Sequence, residues 1–236
     1  MDELLGALKL RLIRMAALSE IMIADALKLL MERDQSLLQV LAENERQVNL
    51  MQVELDEMCL TLIALHQPAA ADLRFILGAA KTNAEIERLA DEAVNISDKA
   101  ARLLAGPPLK PFVILPRMAM IASGMVKDSL HAYVNRDTAK ARDVLRRDDE
   151  LDGLKREIRD EVVALVRHDS EAAERGLDIV MVAHNLERIG DHATNIAENT
   201  IFVAEGRDVR HHLGQPPEAG LRAAAEAPGP SRDAER

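Results

Sequence analysis

The chain has 236 residues, room for one large domain or two of ordinary size, and 48% of them are hydrophobic, which supplies a sizeable core. Aromatic residues are only 2% and Trp is absent, so the core must come from Leu, Ile, Val, Met and Ala; this excludes most sandwiches and barrels and points to an all-α fold. A net charge of −10 makes a poor ligand for nucleic acid or anionic lipid and suits cations or a basic protein surface.

Apolar residues recur at three- and four-residue spacing almost throughout, and prolines stand only at the breaks. The first helix is expected over about 4–33, and Asp34 is placed to cap the second, over 35–66. That second helix carries a heptad-like row of Val48, Met51, Leu55, Met58, Leu62 and Leu65. Its one cysteine, Cys59, is the only one in the chain, which excludes an internal disulfide and fits a reducing cytosol. It reads as a small buried apolar group.

Pro68 can open the third helix, 68–104, at its first turn. Pro107, Pro108, Pro111 and Pro116 punctuate the centre. Three more helices follow over 115–135, 138–167 and 171–205, with Asp137 and Ser170 at cap positions. From about Gly206 the periodicity ends, and residues 206–236 read as a disordered tail rich in Pro, Ala and Gly, opened by His211-His212. No apolar run reaches the roughly 18 residues that span a bilayer, and no signal-peptide core is present, so a soluble cytoplasmic protein is expected.

Glu87-Arg88-Leu89-Ala90-Asp91-Glu92-Ala93-Val94-Asn95-Ile96 returns one hundred positions later as Glu187-Arg188-Ile189-Gly190-Asp191-His192-Ala193-Thr194-Asn195-Ile196. Met22 through Asp34 matches Met125 through Asp137, and Glu54-Leu55-Asp56 matches Glu150-Leu151-Asp152. The chain is therefore expected to be two tandem three-helix bundles related by internal duplication: 1–106, then 107–205, with long antiparallel helices.

Each repeated segment carries a row of polar groups on one helix face: Glu87, Asp91, Asn95 and Asp98 in the first half, Glu187, Asp191, Asn195 and Glu198 in the second. Like charges one turn apart destabilise a helix by a few tenths of a kcal/mol per pair, so a compensating partner is expected. Solvent, arginine and a metal ion are the three candidates. Arg88 lies near Glu85 and Glu92 on its own helix, while Arg188 can reach across the bundle. Hard cations take oxygen ligands, and carboxylates one turn apart can bind or bridge them. The fifth helix offers a further pair, Asp148 and Asp152; its counterpart on the second helix is Gln52 and Asp56, so one carboxylate has become an amide. If these rows are sites, the first holds metal more weakly.

His184 and His192 flank the second row and read as surface or packing histidines. No Glu-x-x-His occurs, which counts against a di-iron oxidase. There is no phosphate-binding Gly-rich loop, nucleophile elbow or Cys-x-x-Cys, so no catalytic residues are assigned.

Taken with His66-Gln67-Pro68-Ala69 and Asp72-Leu73-Arg74, the paired Glu-Arg-x-x-Asp-x-Ala-x-Asn-Ile motifs resemble those of the PhoU family of phosphate-uptake regulators, over roughly residues 5–205. The resemblance implies a duplicated three-helix protein that acts without turnover. It implies a negative regulator that couples a phosphate ABC transporter ATPase to a two-component sensor histidine kinase by protein contacts, commonly as a homodimer. It also implies metal at Glu87, Asp91, Glu187, Asp191, Asp148, Asp152 and, more weakly, Asp56, with iron first and Mn, Mg, Zn or Ca as alternatives; Gln52 departs from the acidic pattern. Two rival readings stand beside it: a metal-binding helical-bundle enzyme or metal store, and a purely structural helical adaptor.

Overall fold

A computed structural model describes residues 1–107, 109 and 112–209. Among them six long helices run α1 Asp2–Glu32, α2 Leu37–His66, α3 Ala70–Ala105, α4 Ile114–Asn135, α5 Thr138–His168 and α6 Ala173–Glu205; a 3-10 turn, Ser170–Ala172, precedes α6. No strand occurs among the described residues. The tail beyond Val209, with His211 and His212, lies outside them, as do Pro108 and Pro111.

Helix α3 packs on α1 and α2, and α6 packs on α4 and α5 in the same way. The two trios meet along α3 and α6, with α1 also touching α4. One continuous core runs through both, with Leu8, Met15, Met22, Leu55, Ile86, Leu89 and Ile96 on one side and Met118, Met125, Leu151, Leu186, Ile189 and Ile196 on the other. The heptad-like row of α2 turns inward at Val48, Leu55 and Leu62, and α5 buries Val144, Leu151 and Ile158, the residues at the matching places. Leu65 is the exception: it is 72% exposed. Cys59 is buried, its thiol is 3.8 Å from the Ile76 carbonyl, and burial together with Asp56 pushes it up to about 11.

The helix ends refine the sequence expectations. Asp137 caps α5 by accepting from the Lys140 N–H at 2.9 Å, as expected. Asp34 does not cap α2; it accepts from the backbone and hydroxyl of Ser36, which occupies the cap position. Asp169, one residue before Ser170, takes the cap role there, with the Glu171 N–H at 3.1 Å. Pro68 precedes α3 by two residues instead of opening it, because Gln67 turns left-handed (φ 45°) and Ala69 is extended. The duplication also preserves backbone: α1 and α4 both end on an arginine in the left-handed region, Arg33 (φ 61°) and Arg136 (φ 54°).

Candidate metal and docking face

The two repeated motifs lie on α3 and α6, the helices at the centre of the molecule. Their apolar positions, Leu89, Ala93 and Ile96 with Ile189, Ala193 and Ile196, are buried, so the helices are held at a fixed rotation. Each motif then presents two kinds of polar side chain. One set faces the opposite motif. The other faces the second helix of its own half, α2 or α5.

The set between the motifs shows what the symmetry cannot satisfy. Arg188 crosses from α6 to Glu92 on α3 at 2.7 Å, as its position suggested, and Glu92 is only 4% exposed. Two-fold symmetry would set Arg88 against residue 192, which is a histidine and offers no charge to neutralise it. Glu85 resolves this. It accepts from Arg88 at 3.1 Å and from Asn195 at 3.0 Å, and its other partner is His192 Nδ1 at 2.8 Å. Burial pushes the Glu85 carboxyl up, but the hydrogen bonds from His192 and Asn195 and the nearby cations hold it below the ordinary carboxylate range. His192 is thus a buried packing histidine, and among the described residues its Nε2 has no hydrogen-bond partner. Asn195 and Asn95 belong to this set and not to the outer carboxylate rows; Asn95 bonds Glu92 at 3.3 Å. In the sequence Glu85 and Glu92 stand only as acids beside Arg88, and Arg88 does pair with Glu85; their contacts across the α3–α6 seam come from the fold. The clue was present: position 92 against 192 is an acid-for-imidazole exchange inside an otherwise repeated segment.

On the α5 side of α6, Asp148, Asp152, Glu187 and Asp191 come together. Burial pushes the Asp148 carboxyl up to about 6, helped by the negative charges of Asp191, Asp152, Asp149 and Glu187. Asp191 is raised by burial, Glu187 and Asp152, against the opposing influence of His192 and Lys155. Lys155 at 3.0 Å and His184 at 3.2 Å both contact Glu187. The close approach of α5 depends on Gly190: a Cβ there would stand 2.4 Å from Leu151 Cδ2 and 3.8 Å from Asp148 Oδ1.

The α2 side of α3 is different. Burial raises Glu87, as does Asp91, while Arg88 and His192 oppose; Asp91 is raised by burial. Asp56 is not among the charges that move either of them. Its carboxylate accepts from Asn83 Nδ2 at 3.0 Å, and the same amide also donates to the Gln52 carbonyl at 2.9 Å. The residue matching Asn83 in the second half is Ala183, which has no hydrogen to give Asp152. The structure therefore places Asp152, Glu187 and Asp191 close enough for their charges to act on Asp148, sets Asp91 to act on Glu87, and engages Asp56 with Asn83.

The donor set fits a hard cation, being all oxygen, crowded and short of counter-charge. The fit is one of chemistry more than of preformed geometry. Among the described residues no group of three or more His, Cys, Asp or Glu side chains converges as a ready cage. A cation here would draw the side chains inward.

A duplicated, all-helical bundle with carboxylate faces on its two central helices defines the class. The PhoU domain model matches residues 12–100 and 115–200, one match per half. A phosphate-specific transport system accessory protein PhoU homolog from Zymomonas mobilis is 34% identical over 208 residues, 88% of each chain, and one from Aquifex aeolicus is 36% identical over 203, covering 86% of this chain and 92% of that one. The crystal structure of PhoU from Pseudomonas aeruginosa superposes with a TM-score of 0.84 at 32% identity, over 87% of this chain and 99% of that one. PhoU from Streptococcus pneumoniae, at 22% identity and a TM-score of 0.82, shares the fold. The chain belongs to the PhoU family.

Proposed function

We propose that the protein is a negative regulator of phosphate uptake and phosphate-starvation signalling. It couples a phosphate ABC transporter to a two-component sensor kinase through protein contacts, works without turnover, and binds metal ions at its carboxylate faces. Support for the phosphate assignment comes from full-length relatives named as accessory proteins of phosphate-specific transport. Among the described residues no helix is long and apolar enough to cross a membrane, which fits a regulator that reaches the membrane through partners, from the cytoplasm.

The observation that carries the metal reading is the crowding of Asp148, Asp152, Glu187 and Asp191; burial first, and then these neighbouring charges, lift Asp148 to about 6. Such a cluster stores repulsion that a cation relieves. Asp148, Asp152, Glu187 and Asp191 would hold the ion, iron or another hard cation, and Glu87 with Asp91 a weaker one. The bound charge would neutralise this face and tie α5 to α6, fixing the surface that partners meet. Homodimerisation is part of the same reading.

The test is a strain lacking the gene and carrying a phosphate-starvation reporter. With ample phosphate the reporter should be on, and the wild-type gene should silence it. Silencing by a Glu187→Ala/Asp191→Ala variant whose metal content, by elemental analysis, equals wild type would refute the metal assignment. A reporter indifferent to the gene would refute the regulatory one.

A further inference from the structure

Helix α2 carries a second heptad row, on the side opposite the core. Leu50, Val53, Glu57, Leu60 and Ala64 fall at i, i+3, i+7, i+10 and i+14, and all five are exposed. Leu50, Val53 and Leu60 are 66%, 55% and 68% exposed. Single exposed leucines need no explanation, but a row in coiled-coil register does. Five heptad positions extend about 20 Å along the helix, long enough to seat a partner helix of three turns or more.

The duplication supplies an internal control. The buried positions of α2 and α5 are in register, Val48 with Val144, Leu55 with Leu151 and Leu62 with Ile158. In that same register Leu50, Val53, Glu57, Leu60 and Ala64 stand against Arg146, Asp149, Gly153, Arg156 and Asp160. A helix in this position of the fold thus works with a charged outer face. The first half has kept, or acquired, an apolar one. The row also borders a groove of about 720 Å³ between α1 and α2, whose walls include Leu4, Leu10, Glu57 and Met58, with Arg11 and Arg14 on the α1 side. Leu4 and Leu10 are themselves 40% and 50% exposed.

Charge selects the occupant. Helix α2 contains Glu43, Glu45, Glu54, Asp56 and Glu57 but one arginine, Arg46, which is paired with Glu43. Glu54 is paired with Arg11 of α1 and Asp56 takes the Asn83 amide, so the charge on the row itself is Glu57, at its middle position. A second copy packed antiparallel would set Glu57 against its own kind, which disfavours self-pairing. We infer that the outer row of α2 is a docking site for an amphipathic helix of another protein, apolar at its a and d positions and flanked by Lys or Arg. This inference rests on the reading of the protein as a docking regulator, but it uses neither the carboxylate faces nor metal.

The test uses a fluorescein-labelled three-heptad peptide with Leu at a and d and Lys at e and g, and a twin with Glu at e and g. Binding to the full chain is followed by anisotropy in chelator, so failure of the metal assignment cannot affect it. The Lys peptide should bind the wild type about tenfold or more tightly than its twin. The neutral Leu50→Gln/Leu60→Gln variant should lose the same factor with unchanged helicity, because α5 already tolerates polar residues there. Equal binding of the two peptides, or full binding by the variant, would overturn the proposal. So would sedimentation showing a wild-type dimer that this variant converts to monomer, since the row would then belong to a second copy. Failure of any of these leaves the reporter assay, and with it the regulatory reading, standing independently.

Discussion

The second half of the molecule gathers four carboxylates between α5 and α6, and the first half, with the same motif, gathers two. The motif is not the cause of the difference, since Glu87 and Asp91 repeat as Glu187 and Asp191. Three neighbours are. Gln52 stands where Asp148 would be, Asn83 engages Asp56 where Ala183 leaves Asp152 without an amide partner, and Gly190 replaces Ala90. A duplicated sequence therefore sets a pair of faces, and unduplicated residues around it decide how much negative charge each holds.

The largest effect should come from Gly190. Gly190→Ala puts a methyl within 2.4 Å of Leu151 Cδ2, so the buried Leu151 side chain must repack or α5 must shift. Overpacking of this kind costs about 1–3 kcal/mol. The reciprocal Ala90→Gly costs only the helix-propensity loss of about 1 kcal/mol. Urea unfolding of both would show the asymmetry. Equal losses would mean that the tight approach of α5 is not what distinguishes the halves.

Asp148 tests the comparison through charge. Its carboxyl is raised to about 6, above its value in the unfolded chain, so the folded state prefers the protonated form. Stability from this group is present at low pH and is lost as pH rises from the ordinary carboxylate range through about 6. In chelator the wild type should lose stability across that window, and Asp148→Asn should flatten the loss. Glu85 acts with the opposite sign: held low by its partners, it contributes stability above the ordinary range that is lost as pH falls. Under the metal reading proposed above, Asp148→Asn should also weaken metal binding, whereas Gln52→Glu should strengthen it at the first face. Melting curves against pH, with and without added metal, check both. A Tm in chelator that ignores Asp148→Asn across this window would show that the four carboxylates are not crowded in solution.

Much of this was legible in the sequence because burial and repetition write themselves into spacing. The six helices, the Asp137 cap and the reach of Arg188 follow from periodicity and from which residues recur. The Gln52 substitution was visible for the same reason. What escaped was set by tertiary contact. Asn195 shares a helix face with Glu187 and Asp191 by spacing, yet it turns to Glu85 across the α3–α6 seam. No pattern within one helix could announce that, although the exchange of Glu92 for His192 marked the place. The engagement of Asp56 was hidden likewise, because its partner, Asn83, comes from another helix. Pro68 and Ser170 missed by one or two residues, where a left-handed Gln67 and an Asp169 cap decide the boundary.

The smallest effect concerns the ends of α1 and α4. Arg33 and Arg136 both occupy the left-handed region, which costs a residue with a Cβ about 1 kcal/mol relative to glycine. Glycine at either place should relieve that cost. Side-chain contacts decide what remains. Arg136 lies over the Phe75 ring at 5.6 Å, while Arg33 donates to the Leu104 carbonyl at 3.1 Å. Both contacts are partly solvated and worth about 0.5–1 kcal/mol. Each replacement should therefore shift Tm by no more than a degree or two, with nearly equal values in the two halves. That near-equality is the point of the measurement. It would show that the backbone frame has stayed symmetric while the carboxylate faces diverged, and a large loss at one arginine alone would show that the frame has diverged as well.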